Sequence, residues 1–152
     1  MNALMFVRRA GGGDVPSMYR IYNTNLDDYF APENIEFFML QWPRGQLIAE
    51  TLTGTPAGAL SSYILEDGTA SIALLAVDSP FQGMGAGTKL IDALRQECIG
   101  EGIGRMQLEA RVTNTRAVKL YERLGFRCTQ ILPSLYSDGG DGIRMVMDLR
   151  RP

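Results

Sequence analysis

Ser71-Ile72-Ala73-Leu74-Leu75-Ala76-Val77, followed within five residues by Gln82-Gly83-Met84-Gly85-Ala86-Gly87, is the stretch on which the reading of this chain turns. The first block is nearly all apolar, as a strand covered on both faces requires. After the glycine turn, Leu90, Ile91, Leu94 and Cys98 keep a helical period to a glycine at position 100 or 102. A buried strand, a glycine turn and a helix start make a phosphate-binding unit. Glycines let the backbone come close, the first helical N–H groups have no internal partner, and the helix dipole favours an anion. A Walker A loop is excluded because Thr88-Lys89 runs in the reverse order. A dinucleotide fingerprint is excluded because its first glycine is missing at the right offset.

Outward from this block, residues 6–9 read as a strand and 11–13 as a glycine loop. Asp14 reads as the N-cap of a helix with Pro16 just inside, and Met18, Ile21 and Tyr22 on its apolar face. A second helix runs over 33–41 from Pro32, with Ile35, Phe38, Met39 and Trp42 on one face, and Trp42-Pro43 ends it. Residues 46–52 and 56–65 form a hairpin about Gly54, and 66–68 a further turn. Downstream, 106–111 is a strand, 114–124 a helix closed by Gly125, and 127–132 and 143–149 are strands. The order β-α-α-β-β-β-α-β-α-β-β predicts an α/β sandwich. Its mixed, mostly antiparallel sheet has six to seven strands flanked by about four helices.

The chain has 152 residues, 45% of them hydrophobic and 21% charged, which predicts one globular domain over 1–152. Its net charge of −2 argues against direct binding of nucleic acid or of an anionic membrane. The apolar opening at 1–7 runs straight into Arg8-Arg9, the wrong order for a signal peptide, and no apolar run is long enough to span a bilayer. There is no histidine, so Ser-His and Cys-His nucleophile pairs are excluded, and a metal site is not expected. Cys98 and Cys128 are too few for a disulfide framework. Both read as core thiols in a reducing, cytoplasmic setting.

With the glycine block in place, a second block acquires meaning: Leu108-Glu109-Ala110-Arg111-Val112-Thr113-Asn114, then Ala117, Leu120-Tyr121-Glu122 and Leu124-Gly125-Phe126. Together the two resemble the halves of the GNAT acetyltransferase signature. Within that superfamily the chain is most similar to protein N-terminal acetyltransferases, both the ribosomal-protein-alanine type and the archaeal and eukaryotic catalytic subunits. Asn25-Leu26-Asp27-Asp28-Tyr29, Trp42-Pro43 and Leu135-Tyr136-Ser137-Asp138-Gly139 with Asp141 carry that likeness. Three positions depart from it. Asp28 stands for a catalytic Glu, Leu135 for the first Tyr of a pair, and Gly83 for a basic residue beside the pyrophosphate.

The resemblance implies direct transfer of acetyl from acetyl-CoA, without metal, to the free amino terminus of a protein or peptide. It implies backbone pairing of the pantetheine arm along Leu75, Ala76 and Val77. The phosphates would lie over Gln82, Gly83, Met84, Gly85, Ala86, Gly87 and Thr88, with Asn114 and Tyr121 against the arm. Glu109 is the implied proton acceptor, with Asp28 as the alternative, and Tyr121 the donor to the leaving thiolate. An ion pair of Glu109 with Arg111 is the competing reading. Leu26, Asp28, Tyr29, Phe30 and Tyr136 are candidates to hold the acceptor. An α-amine, with pKa about 7.7–8.0, is partly neutral at pH 7, whereas a lysine amine at about 10.4 is almost wholly charged. An N-terminal amine therefore asks little of the base. The alternatives are a small amine, polyamine or lysine acceptor, or a non-catalytic acyl-CoA-binding regulator. Association with the ribosome or an auxiliary subunit is a further expectation.

Overall fold

Strands β1 (Met5–Arg9), β2 (Leu47–Thr51), β3 (Pro56–Ile64), β4 (Ala70–Val77), β5 (Arg105–Arg111), β6 (Arg127–Leu132) and β7 (Gly142–Asp148) alternate with helices α1 (Val15–Asn25), α2 (Pro32–Gln41), α3 (Ala86–Gly100) and α4 (Thr115–Leu124) in the predicted order. The computed structural model describes residues 4–150. Residues 1–3 and 151–152 lie outside the described residues, and with them part of the apolar opening and both ends of the expected domain. The seven strands form one sheet in the order β1-β2-β3-β4-β5-β7-β6. Every neighbouring pair is antiparallel except β4–β5. No helix among the described residues is long and apolar enough to cross a membrane.

Side chains alternate across a strand, so adjacent apolar residues serve opposite layers. In β2, Ile48 packs with α1 and α2 residues Met18, Ile21, Tyr22 and Ile35, while Leu47 and Ala49 pack with Leu90, Ile91 and Leu94 of α3. In β4 this rule breaks: Ile72 belongs to the α3 layer but Leu74 to the α1–α2 layer. The cause is a bulge. Ser61 of β3 faces Leu74 and Ser62 faces Ile72, leaving Ala73 unmatched. An extra residue flips the facing of everything beyond it. The two serines are held by buried polar partners. Tyr22 and Ser61 hydroxyls lie 2.7 Å apart. Gln46 accepts from the Ser62 N–H and donates to the Ser62 carbonyl at 2.6 Å.

Some local expectations need correction. Asp14 does not cap α1 with its side chain; the carboxylate accepts from the Gly11 N–H and from Arg8 instead. Residues 12–14 are a 3-10 turn, not a plain loop. α2 ends at Gln41 as expected, but Trp42 does not share the face of Ile35, Phe38 and Met39: it is buried in the α3 layer, with Nε1 donating to Glu101 at 3.2 Å. Cys98 is buried as expected, and desolvation pushes its thiol up to about 12. Cys128 is not a core thiol: it is exposed, because β6 is the outer strand of the sheet and lies open along nearly its whole length.

Candidate active site

The parallel pair β4–β5 matches only Ala70 with Met106 and Ser71 with Gln107. Beyond these residues the two strands separate, and the sheet is split between 72–77 and 108–111. Backbone groups on this edge of β4 are left without strand partners, a state that favours an extended ligand. Two cavities open at the split. They share Leu75, Asn114, Ala117 and Tyr121 and so adjoin at these residues.

The first cavity, about 540 Å³, lies over the glycine turn. Leu75, Ala76, Val77, Gln82, Gly83, Gly85, Ala86, Gly87, Thr88, Asn114 and Tyr121 line it. Met84 does not; it packs with Met5, Ala57, Ala86 and Phe81 beneath the turn. Gly83 and Gly85 have φ of 80° and 84°, which side-chain-bearing residues rarely adopt. A Cβ on Gly83, Gly85 or Gly87 would meet nothing within 4 Å, so the backbone is open to a ligand. The first back-bond of the helix is from Lys89 N–H to Gly85 O at 3.0 Å, so the N–H groups ahead of it have no helical partner. Gln82 ties the turn to the strand by donating to Val77 O at 2.9 Å. Arg116 and Arg123 of α4 also line this cavity. The sequence reading missed them. Their spacing along the helix is the signal that could have found them, once α4 is known to face the turn. A glycine cradle, a helix start and two guanidiniums suit a pyrophosphate with an extended arm.

The second cavity, about 330 Å³, brings together Leu26, Asp28 and Phe30 from the α1–α2 connection, Glu109 and Arg111 of β5, Tyr121 of α4 and Tyr136. Tyr29 is not among its lining residues. It is 69% exposed, with its ring edge-on to Tyr19 at 6.1 Å. A network spans the cavity mouth. Arg111 donates to Asp138 at 3.0 Å, lies 3.9 Å from Asp27, and stacks over the Tyr136 ring at 4.2 Å. Ser137 donates to Asp28 at 3.2 Å. The α1–α2 and β6–β7 connections are thereby bridged to β5.

Glu109 is ion-paired, but not with Arg111. Its Oε2 accepts from Nη2 and Nε of Arg144 at 2.6 and 3.2 Å. Glu109 and Arg144 are cross-strand partners in β5 and β7, whereas Arg111 is drawn to Asp138. Arg144 also reaches Gln130 of β6 at 3.3 Å. Among the described residues Oε1 of Glu109 has no hydrogen-bond partner in the protein. Tyr121 is half-buried with its ring edge-on to Phe126 at 6.0 Å. Desolvation, with Tyr136 adding, raises its phenol above the usual value. Tyr136 is also raised, by burial first and by Glu109 and Asp28, against the opposing pull of Arg111. Asn114 caps α4, its Oδ1 accepting from Ala117 N–H at 3.2 Å. No cluster of three or more acidic, Cys or His side chains among the described residues is placed to hold a metal.

Comparison with known proteins meets this geometry. The sequence profile of the acetyltransferase (GNAT) family matches residues 15–126, from the start of α1 past the end of α4. Human N-alpha-acetyltransferase 30 is 27% identical over 150 residues, 97% of this chain but 41% of that protein. The chain therefore spans well under half the length of that relative. An uncharacterized N-acetyltransferase of Methanocaldococcus jannaschii is 29% identical over 146 residues, covering 93% of this chain and 90% of that one. Ard1 from Thermoplasma volcanium superposes with a TM-score of 0.90 at 29% identity, over 97% of this chain and 99% of its own. The matched region contains the glycine turn, the strand split and both Glu109 and Tyr121, and the chain belongs to the acetyltransferase (GNAT) family.

Proposed function

We propose that this protein transfers acetyl from acetyl-CoA to the free α-amino group of a protein or peptide N-terminus, directly and without an acyl-enzyme. The observation that carries the reading is the pair of adjoining cavities at the β4–β5 split, with the glycine cradle lining one, Glu109 lining the other and Tyr121 lining both. The name N-alpha-acetyltransferase 30, borne by several relatives, points to the same acceptor.

Bound acetyl-CoA would supply an activated thioester carbonyl. The chain's own residues do the rest. Backbone N–H groups at 85–88, with Arg116 and Arg123, take the phosphates, and the free edge of β4 at 75–77 holds the extended arm. Asn114 and Tyr121 face both cavities and stand where arm and acceptor meet. Glu109 Oε1 is free to accept a proton from the amine while Oε2 stays on Arg144. Tyr121, with its raised phenol, remains protonated at neutral pH and is the donor to a leaving thiolate. The bridge of Arg111, Asp138, Ser137 and Asp28 holds the walls against which the acceptor backbone lies. As part of the same reading the enzyme works in a reducing cytoplasm, alone or with an auxiliary subunit at the ribosome.

The test is acetyl transfer to short peptides beginning Ser-, Ala-, Met-Leu- and Met-Glu-, each with its α-amine free or blocked and each carrying an internal lysine. The expected outcome is acetylation that disappears when the α-amine is blocked. Equal reaction of blocked peptides, or reaction of polyamines alone, contradicts the proposed acceptor.

A further inference from the structure

A third cavity, about 520 Å³, lies between α2 and the start of β4. Phe37 and Phe38 of α2 and Tyr63 of β3 wall it with Ile72, Ala73 and Glu109, and the neutral polar Asn34 and Ser71 complete the lining. The Phe38 and Tyr63 rings are stacked at 5.6 Å and 25°, and Phe37 stands edge-on to Phe38 at 5.9 Å. Phe37 is 60% exposed, and Ala73, the unmatched residue of the bulge, is exposed as well. The rings are therefore reachable from solvent at Phe37, with Phe38 and Tyr63 half-buried behind it.

Ile72, Ala73 and Glu109 also line the acceptor cavity, so the two spaces join beside the proposed proton acceptor. Their chemistry differs. The acceptor cavity carries Asp27, Asp28 and Arg111, whereas Glu109 is the one charged residue lining the aromatic cavity. That charge is already matched by Arg144 at 2.6 Å. A neutral flat or branched group therefore suits this space better than a second cation, and stacked rings favour it further.

The geometry points to a second acceptor subsite: the α2-side cavity takes an aromatic or branched apolar group carried within a few bonds of the reacting amine. The inference rests on the transfer reading for where the amine sits. Titration with 2-phenylethylamine, followed by NMR, tests it without turnover. The expected result is shifts at the Phe37, Phe38 and Tyr63 rings and at the Ala73 methyl, abolished by Phe37→Glu and weakened by Phe37→Ala. Shifts confined to Leu26, Phe30 and Tyr136, or unchanged in Phe37→Glu, overturn it. In turnover, the ratio of kcat/KM for a Phe-first over a Ser-first peptide falls about tenfold in Phe37→Glu; an unchanged ratio overturns it. If the shifts appear as expected but no amine is acetylated, the subsite stands and the transfer reading fails. If peptides react while the aromatic probe seats elsewhere, the subsite fails and the transfer reading stands.

Discussion

In the proposed transfer, Glu109 and Tyr121 divide the proton work between groups whose surroundings differ. The Glu109 carboxylate is half committed to Arg144, and Tyr121 is kept neutral by burial. Tyr121→Phe removes one hydroxyl without opening a cavity, so kcat is expected to fall on the order of 100-fold with little change in fold. Steady-state kinetics alongside circular dichroism checks this. The pH profile follows from the sign of the shift. An acid raised above its usual value of about 10 stays protonated through pH 9, so the rate should climb as the substrate α-amine deprotonates near 8 and not fall again below about 10. A falling limb near pH 7 would assign the donor elsewhere. Tyr121 and Asn114 could be found in the sequence because their spacing sits within one short block. The partner of Glu109 could not: Arg144 reaches it through strand pairing across the sheet, and no local pattern encodes that register. Arg111, two residues along β5, was the nearer candidate, but Asp138 and the Tyr136 ring hold it.

At the level of elements, the bulge at Ala73 and the early end of β4–β5 pairing make the site. Neither was legible, since a nearly all-apolar strand looks the same whether its facing switches or not. The glycine turn was legible because left-handed backbone leaves a compositional mark. Gly85→Ala forces a side chain into φ 84°, at a cost of about 1–2 kcal/mol, and is expected to weaken CoA binding roughly tenfold by calorimetry. The β6–β7 connection responds to acid. Gly140 N–H first, and Arg111 second, hold Asp138 below the usual carboxylate range. A lowered value means the stabilisation is present above the ordinary carboxylate pKa and lost as pH falls through the folded one. The Tyr136 ring resonance should therefore shift toward its loop-released position below about pH 4. In Asp138→Asn that release should already be partial at pH 7. A Tyr136 resonance unmoved by acid would show that the bridge does not hold the loop.

Across the whole molecule, the element order was legible because each helix and strand carries its own period and punctuation. The strand order was not, since β7 inserting between β5 and β6 is a long-range choice. Stability should rest on the layer between the sheet and α3, where Leu90 and Leu94 are fully buried against Leu60 and Met106. Leu94→Ala is expected to cost about 2–5 kcal/mol in denaturant unfolding, with any loss of activity recovered where the variant is folded. In the proposed transfer the cradle and the acceptor cavity serve one reaction. The most direct measurement is the structure of the complex with a CoA–peptide conjugate joined through an acetyl bridge at the peptide's α-amine. The expected complex has phosphates over 83–88, the arm along 75–77, the bridge between Glu109 and Tyr121, and the peptide leaving between Asp28 and Tyr136. A conjugate whose peptide lies outside the β4–β5 split, or whose phosphates lie away from the glycine turn, would contradict it.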